Sequence, residues 1–386
     1  MRIGIDARFY GPIGKGLGRY TEKLIEYLER VADGDDEFFV FLRRDNIDEY
    51  VPTRSNFHKV LADYPWYTFQ EQFLFPGLLR KYRLDLVHFT HFNVPILYCR
   101  PIVVTIHDLI LLHFPTVRNT TRSRLTYGIK YLSYRLVIAS AIDRARAVFA
   151  VSRFVEDDIL RSFPGARGKT VVTYEGCDFS PEPEGVSGSE TAVDRGILTP
   201  YFLYVGNAYP HKNLGSFIPL AKRFPDVRFV LVGKEDHFYE RLRKESESSG
   251  TNNIRFVGFV PDSRLKELYR NATGYVFPSL YEGFGLPPLE AMRFGIPVIA
   301  ADKGSLPEIL GDAALYFDPD DPESLSSKVG DILTDSALCQ ELSYRGRDRS
   351  WAYRWKTMAE KSLQTYHRVL SDPSAVSSIS KRNRQS

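Results

Sequence analysis

Short apolar runs recur along the chain, and the stretches between them have the mixed polar and apolar pattern of helices. A short, nearly continuous apolar run is typical of a strand that is buried on both faces of a parallel sheet. Strands that alternate with helices indicate a layered α/β protein. Strands are predicted in the first half over 2–6, 38–42, 86–89, 102–106, 147–151 and 171–174, and in the second half over 201–205, 228–232, 254–257, 274–277, 297–300 and 314–317.

The length of the chain predicts two domains. A chain of 386 residues exceeds one typical hydrophobic core and fits two domains of roughly 150–200 residues each. A polar stretch rich in proline, glycine and serine separates the two halves, which is the composition of a linker. The predicted boundaries are an N-terminal domain over 1–180, a linker over 181–195, a C-terminal domain over 196–355, a final helix over 356–371 and a disordered tail over 372–386.

Composition excludes several classes of protein. Apolar residues make up 43% and charged residues 26% of the chain, which is ordinary for a globular protein. A net charge of +3 is too small to indicate binding of nucleic acid. Three scattered cysteines are too few for a disulfide framework or a zinc site. Residues 2–6 form a strand directly, so no signal peptide is expected, and no apolar run approaches the ~20 residues of a membrane span.

The segment 279–292, SLYEGFGLPPLEAM, contains the most informative chemistry. Glu282 and Glu290 lie eight positions apart across a turn with two glycines. The prolines at 287 and 288 suit the first turn of a helix, and Glu290 is predicted in that same turn, where a carboxylate complements the helix dipole. Glycines let backbone N–H groups approach a ligand closely, and a helix N-terminus attracts phosphate. Both acids are therefore expected to face one small space that suits a sugar nucleotide.

Together with GIPVIA at 295–300, this segment resembles the glutamate-x7-glutamate signature of retaining glycosyltransferases of family 4. The resemblance covers nearly the whole chain and is strongest over 205–308. It implies the GT-B fold, in which two Rossmann-like, doubly wound parallel-sheet domains face an interdomain cleft lined by the loops that follow the strands. It also implies that Glu290 binds the ribose hydroxyls of the donor. Glu282 would hold the sugar hydroxyls together with the backbone amides of Phe284, Gly285 and Leu286.

A second motif, at 201–214, combines a strand, a polar turn and a helix start. Lys212 can neutralise a leaving diphosphate as a mobile point charge, although a solvated helix-capping lysine is the alternative. Family members commonly have an arginine where this chain has Asn207, and Pro-His-Lys-Asn resembles a variant found among mannosyltransferases. Another group must then supply the missing positive charge. Arg153, at the start of a predicted helix, is the candidate, with Arg8 as a second.

Two further segments follow predicted strands of the first half. A lone histidine is usually structural, but the resemblance implies that His107 contacts the transferred sugar, while Asp108 either orients that imidazole or caps the following helix. The glycine-rich residues 11–20 match neither a P-loop nor a dinucleotide fingerprint. The family uses a glycine-rich loop here to approach the donor phosphates, which points to Gly16 and Gly18. A flexible surface loop is the alternative.

In the second half, the family places the segment 255–260 against the nucleobase through backbone groups, which implies binding by Val257 and Gly258. In the first half, the segment 118–146 contains seven basic residues against one acidic residue, with tyrosines and a leucine at roughly helical spacing. It is either a basic amphipathic face for anionic lipid or a lipid-diphosphate acceptor, or a solvated helix with a core-facing apolar stripe. Contact with an anionic membrane is therefore left open.

The resemblance implies a retaining hexosyltransferase of polysaccharide biosynthesis, with mannose and GDP-mannose as sugar and donor. No Asp-x-Asp metal motif is found where a GT-A enzyme would need one, so transfer is predicted to be independent of a metal ion. The acceptor would be a hydroxyl of a glycan or a lipid-linked molecule. No cofactor or nucleic-acid partner is expected, and the expected location is the cytoplasm, with or without peripheral contact at the inner membrane face. One alternative is a GT-B epimerase, whose separate carboxylate and histidine requirements this sequence matches poorly. The other is a non-catalytic sugar-nucleotide-binding subunit, against which the intact motifs argue.

Overall fold

The computed structural model describes residues 1–12, 15–114, 124–179 and 200–371. The predicted linker at 181–195 and the predicted tail at 372–386 lie outside the described residues, as does the part of the basic segment before residue 124. The chain divides into two compact units. The first contains Met1–Gly176 and the chain from Arg354 on, and the second contains Cys177–Tyr353.

The first unit is built on a seven-stranded parallel sheet. Its strands are β1 (Arg2–Asp6), β2 (Glu37–Leu42), β3 (Phe57–Leu61), β4 (Leu86–Phe89), β5 (Ile102–Ile106), β6 (Ala147–Ala150) and β7 (Thr170–Val172). The spatial order is β3-β2-β1-β4-β5-β6-β7, with the chain running outward from the middle in both directions. This doubly wound order confirms the predicted fold class for this half of the chain.

All six strands predicted in the first half are present, with ends that shift by at most two residues. The sequence missed β3, because this edge strand alternates buried and exposed positions and carries His58 and Lys59. An edge strand has only one neighbour and one covered side, so its sequence need not form an apolar run.

Seven helices accompany this sheet in the described part of the chain. They are α1 (Lys15–Val31), α2 (Phe69–Phe73), α3 (Phe75–Lys81), α4 (Ile110–His113), α5 (Arg124–Arg144), α6 (Arg153–Ser162) and the last helix, α14 (Trp355–Ser371). The helix α14 packs against α1. Its Tyr366 is fully buried, and the Tyr366 hydroxyl lies 2.5 Å from Nδ1 of His88 on β4.

The second unit has a six-stranded parallel sheet of order β10-β9-β8-β11-β12-β13. Its strands are β8 (Tyr201–Val205), β9 (Arg228–Val232), β10 (Ile254–Gly258), β11 (Gly274–Phe277), β12 (Val298–Ala301) and β13 (Ala314–Phe317). Its helices are α7 (Phe217–Arg223), α8 (His237–Ser248), α9 (Asp262–Asn271), α10 (Leu286–Arg293), α11 (Leu306–Leu310), α12 (Pro322–Thr334) and α13 (Ser336–Trp351). Each of the six strands predicted here is found, and in β8, β9, β11 and β12 most side chains are buried.

The helix α5 shows how the basic segment is arranged. Ile138 and Ile142 are fully buried, whereas Leu132 and Leu136 expose 58% and 59% of their surface. One face of the helix therefore packs into the unit, and leucines remain outside it. None of the helices in the described part of the chain has a stretch long and apolar enough to cross a bilayer.

The glycine-rich segment after β1 differs from the predicted loop. Gly16 and Gly18 both lie in α1, which already begins at Lys15. A Cβ at Gly18 would lie 1.9 Å from the carbonyl oxygen of Gly11 and 2.6 Å from that of Phe9. Gly18 therefore lets the helix touch the backbone after β1, which is a packing reason for the glycine. Gly16 faces open space.

We expect Gly18→Ala to lower the stability of the protein by about 1–3 kcal/mol, because the added methyl group would force the helix and the backbone apart. The matched control, Gly16→Ala, should be neutral or stabilise by up to about 1 kcal/mol, since alanine favours the helix and meets no atom. Urea unfolding followed by circular dichroism measures both. Equal midpoints for the two variants would contradict this account of Gly18.

Candidate functional site

The candidate residues of the second unit follow the carboxyl ends of its strands. Asn207 and Lys212 come after β8, Gly258 ends β10, and Glu282 comes after β11. In a parallel sheet these ends lie at one edge, where doubly wound domains bind their ligands. The structure therefore brings the predicted donor-binding segments of this unit to the same side of one sheet.

Lys212 and Glu282 form an ion pair. Nζ of Lys212 lies 2.5 Å from Oε1 of Glu282, and the two side chains expose only 13% and 11% of their surface. The loops that carry them are joined by a hydrogen bond from the backbone N–H of Leu280 to the carbonyl oxygen of His211, 2.7 Å long. Burial strengthens the attraction between the two charges, and it makes either charge costly without the other.

The turn that carries Glu282 rests on the loop after β12. The backbone N–H of Ser305 donates to the carbonyl oxygen of Glu282 at 3.3 Å, and the Ser305 hydroxyl donates to that of Phe284 at 3.0 Å. Gly304 has a φ of +65°, and a Cβ there would lie 2.9 Å from the backbone nitrogen of Glu282. Gly304 and Ser305 were not predicted as site residues, although they lie in the loop after a predicted strand.

The start of α10 has the predicted form. Gly285 is the N-cap residue in the left-handed region, with φ +98°, and the helix begins at Leu286 with proline in its first positions. The predicted place of Glu290 was wrong, because the first turn of α10 contains no acidic residue. The helix starts early enough to put Glu290 in the second turn, where it is buried and accepts a hydrogen bond from the Tyr269 hydroxyl at 3.2 Å.

Glu282 and Glu290 both lie close to one buried phenol. Tyr275 on β11 is fully buried, and burial raises the pKa of its hydroxyl well above the usual value. The negative charges of Glu290 and Glu282 raise that pKa further. Both carboxylates therefore act electrostatically on the Tyr275 hydroxyl. Neither Tyr269 nor Tyr275 was singled out from the sequence, because buried tyrosines are common in cores.

Backbone groups shape the remaining donor-binding segments. The side-chain oxygen of Asn207 accepts from the backbone N–H of Tyr209 at 3.3 Å, so this residue orders the turn before Lys212. Gly258 has a φ of +76° at an irregularity in the pairing of β10, and a Cβ there would meet open space. Val257 is half-buried beside it.

His211 does not replace the positive charge that is missing at Asn207. Burial, together with the neighbouring positive charge of Lys212, lowers the pKa of His211 to about 4. The imidazole is therefore neutral at neutral pH.

His107 of the first unit is fixed from several sides. Its Nε2 lies 2.9 Å from the carbonyl oxygen of Thr90, and its Nδ1 lies 3.3 Å from Oε1 of Glu175. The ring packs edge-on against Tyr20 with the centroids 4.6 Å apart. The Asp108 side chain accepts from the backbone N–H of Ile110, the first residue of α4, at 3.0 Å.

A buried hydrogen-bonded chain lies behind this histidine. The Tyr20 hydroxyl lies 3.1 Å from the Thr105 hydroxyl, which lies 2.8 Å from Nε2 of His88. Burial lowers the pKa of His88 to about 3, so this histidine is neutral, and Tyr366 of α14 occupies its other ring nitrogen. These hydrogen bonds tie the last described helix to β5, the strand that precedes His107.

The two arginines considered as phosphate partners differ. Arg153 is exposed at the first position of α6, after Ser152, whose hydroxyl caps the helix. Arg8 is fully buried between Asp6 and Glu71, each 2.7 Å from its guanidinium. Arg8 was therefore the wrong candidate, because its donors serve a buried ionic cluster rather than a ligand.

The described residues contain no group of three or more histidine, cysteine, aspartate or glutamate side chains placed to hold a metal ion.

Comparison with known proteins gives consistent results for both units. The family described as Glycosyltransferase Family 4 matches residues 14–181, and the family described as Glycosyl transferases group 1 matches residues 198–349. The chain is similar to O-antigen chain mannosyltransferase B of Escherichia coli, with 28% identity over 91% of this chain and 95% of that protein. It is also similar to O-antigen chain mannosyltransferase RfbU of Salmonella typhimurium, with 28% identity over 83% of this chain and 88% of that protein.

Among solved structures, the chain resembles the sucrose-phosphate synthase of Thermosynechococcus elongatus. The TM-score is 0.75 at 20% identity, over 96% of this chain and 99% of that one. At this identity the likeness shows the fold, which is GT-B.

We expect the thermal stability of the protein to fall as the pH is lowered from about 6.5 to 4. An unfolded histidine binds a proton below about pH 6.5, whereas buried His88 and His211, with pKa values of about 3 and about 4, do not. Protonation in this range therefore favours the unfolded chain. Melting temperatures across this range measure the slope.

The variant His88→Asn should show a shallower slope than the native chain, whatever its stability at pH 7. The exposed His237 provides a control, because His237→Gln should leave the slope unchanged. An unaltered slope in His88→Asn would contradict the assignment to His88.

Proposed function

This chain belongs to glycosyltransferase family 4, and we propose that it transfers mannose from GDP-mannose to a hydroxyl of a glycan or lipid-linked acceptor, with retention of configuration. Glycosyltransferases of this kind use a nucleotide-sugar donor and a glycan acceptor. The choice of mannose is supported by the two mannosyltransferase relatives and by the Pro-His-Lys-Asn motif. The choice of the guanine nucleotide rests on that similarity alone.

The observation that supports the proposal best is the ion pair of Lys212 and Glu282, beside a turn and a helix start rich in backbone N–H groups. Cleavage of the anomeric bond leaves negative charge on the departing diphosphate. A preorganised ammonium group and backbone amides stabilise such charge without reorganisation. In this proposal Glu282 keeps Lys212 in place before the donor binds, and its carboxylate then holds hydroxyls of the transferred sugar.

Most of the other proposed contacts with the sugar-nucleotide donor come from the second unit as well. Glu290, anchored by the Tyr269 hydroxyl, would accept hydrogen bonds from the ribose, and the backbone at Val257 and Gly258 would meet the base. The amides of Phe284, Gly285 and Leu286 would hold the sugar, with Asn207 shaping the phosphate turn. In the first unit, His107 would contact the transferred sugar, Arg153 would be the further phosphate partner, and Gly16 and Gly18 would form the start of α1 beside it.

The proton of the acceptor hydroxyl needs no dedicated base, because a phosphate oxygen of the donor can take it. With Lys212 supplying positive charge at the diphosphate, transfer would be independent of a metal ion. No finding supports the two alternatives, an epimerase or a non-catalytic subunit. An epimerase would convert the donor without an acceptor, and a non-catalytic subunit would bind the donor without turnover.

A thermal-shift screen across GDP-, UDP- and ADP-sugars tests the donor. We expect GDP-mannose to raise the melting temperature most, because a ligand that binds only the native state stabilises it in proportion to its concentration over Kd. A larger shift with a UDP- or ADP-sugar would overturn the donor, and no shift with any of them would overturn the proposed function.

Lys212→Ala and Glu282→Ala should each lower the rate of donor turnover by about 10²–10³, the range for loss of one group that stabilises a leaving anion. Release of the nucleoside diphosphate, measured with and without an acceptor pool and with a chelator present, gives the rate. The exposed Lys222 on α7 serves as control, since Lys222→Ala should turn over normally. Undiminished turnover in both site variants would end the proposal.

We further propose a cytoplasmic location with peripheral contact at an anionic membrane. The membrane contact is supported by the exposed Leu132 and Leu136 on α5 and by the exposed Arg135 between them. We expect flotation with anionic vesicles to fall several-fold in the double variant Leu132→Ser/Leu136→Ser, because apolar side chains and basic charge act together at such surfaces. The control is Phe259→Ser, at a residue 80% exposed on the second unit. No flotation of the native chain would remove the membrane contact.

A further inference from the structure

Glu175 is a buried acid that the sequence analysis did not select. It follows β7, two residues before the second unit begins at Cys177, and exposes only 7% of its surface. Its Oε1 lies 3.3 Å from Nδ1 of His107, although the two residues are 68 positions apart. A buried carboxylate is costly unless a hydrogen-bond donor satisfies it. His107 is the charged or polar side chain that the structure places against it.

The hydrogen bond at Nε2 of His107 limits the protonation states that are open to Nδ1. Nε2 lies 2.9 Å from the carbonyl oxygen of Thr90, which can only accept, so Nε2 carries a hydrogen. The edge-on contact with Tyr20 fixes the plane of the ring. Because Nε2 already donates a hydrogen bond, the atom that faces Nδ1 determines whether Nδ1 also carries a hydrogen. That atom is a carboxylate oxygen.

Two neighbouring histidines add no positive charge near His107. The nearby His88 and His91 are held neutral, because burial lowers the pKa of each to about 3. The segment that carries Glu175 is also fixed. A Cβ at the adjacent Gly176 would lie 2.2 Å from the backbone nitrogen of Trp355, so the chain passes tightly against the start of α14. The carboxylate is thus held in a rigid segment, as a preorganised site requires.

We propose that Glu175 is a positioning residue of the transfer reaction, which keeps a hydrogen on Nδ1 of His107 and so makes both ring nitrogens donors. The inference rests on the proposed function, in which His107 contacts the transferred sugar. At 3.3 Å the bond to Glu175 is longer than the 2.9 Å bond to Thr90. An oxygen of the sugar can share the Nδ1 hydrogen with Glu175. Without the carboxylate, Nδ1 offers a lone pair, which repels an acceptor oxygen.

Nitrogen-15 NMR of the full chain, labelled at histidine, measures directly whether each ring nitrogen of His107 carries a hydrogen. At pH 7 both ring nitrogens of native His107, assigned by their loss in His107→Gln, should resonate as N–H nitrogens. In Glu175→Gln, the amide has the same shape and donates to Nδ1, so the Nδ1 signal should move to the position of a nitrogen with a lone pair. A lone-pair signal in the native chain, or no change in Glu175→Gln, would overturn the proposal.

Kinetics separate positioning from a structural role. Glu175→Gln and Glu175→Ala should each lower kcat about tenfold to hundredfold, comparable to loss of groups that orient ligating histidines, while the KM for the donor changes less than about threefold. The control is Glu29→Gln, at another buried carboxylate of the first unit that accepts from the Tyr50 hydroxyl. It should lower the melting temperature and leave kcat unchanged.

A native kcat in Glu175→Gln, or an equal loss of kcat in Glu29→Gln, would overturn the role of Glu175 in transfer. Failure of the proposed function has a different signature. The native chain would then turn over no donor, while the NMR comparison would still decide whether Glu175 sets the hydrogen on His107.

Discussion

Parallel pairing of the strands is the constraint on which the rest of this protein depends. Every strand pairing in the described part of the chain is parallel, in both sheets. Parallel strands place all of their carboxyl ends at one edge, and the helices that connect them cover both faces. The loops after β8, β10, β11 and β12 therefore lie at one edge, and residues that are far apart in sequence come close together there, as His211 and Leu280 do.

At two buried places in this protein, opposite charges lie directly against each other, because a buried charge is costly without a partner. Lys212 faces Glu282 at 2.5 Å, and Arg8 lies between two carboxylates. An unpaired charge at such positions would cost several kcal/mol of folding free energy. The pairs differ in what they can do. The Arg8 cluster is fully enclosed, whereas Lys212 and Glu282 keep part of their surface exposed at the edge where ligands bind.

The histidines show a similar division between an enclosed residue and a partly accessible one. His88 is fully buried and neutral, and it joins α14 to the sheet through Tyr366. His107, on the loop after the neighbouring strand, is slightly exposed and faces Glu175. A buried neutral network thus fixes the position of a histidine that remains accessible, which is how rigid scaffolds support reactive groups.

The sequence by itself determined the apolar strands, the two-sheet class and the proline-rich start of α10, because burial on both faces and backbone restriction are local properties of the residues. It also singled out Lys212, Glu282 and His107 as candidates from motifs, and their roles stay predictions. Only the tertiary structure decided the edge strand β3, the helical place of Gly18, the second-turn place of Glu290, and the partners of Arg8. Those depend on contacts across the fold: Lys212 meets Glu282 over 70 positions, and His107 meets Glu175 over 68. The hydrophobic pattern within one segment cannot predict contacts between residues so far apart in sequence, because these contacts depend on which strands lie side by side.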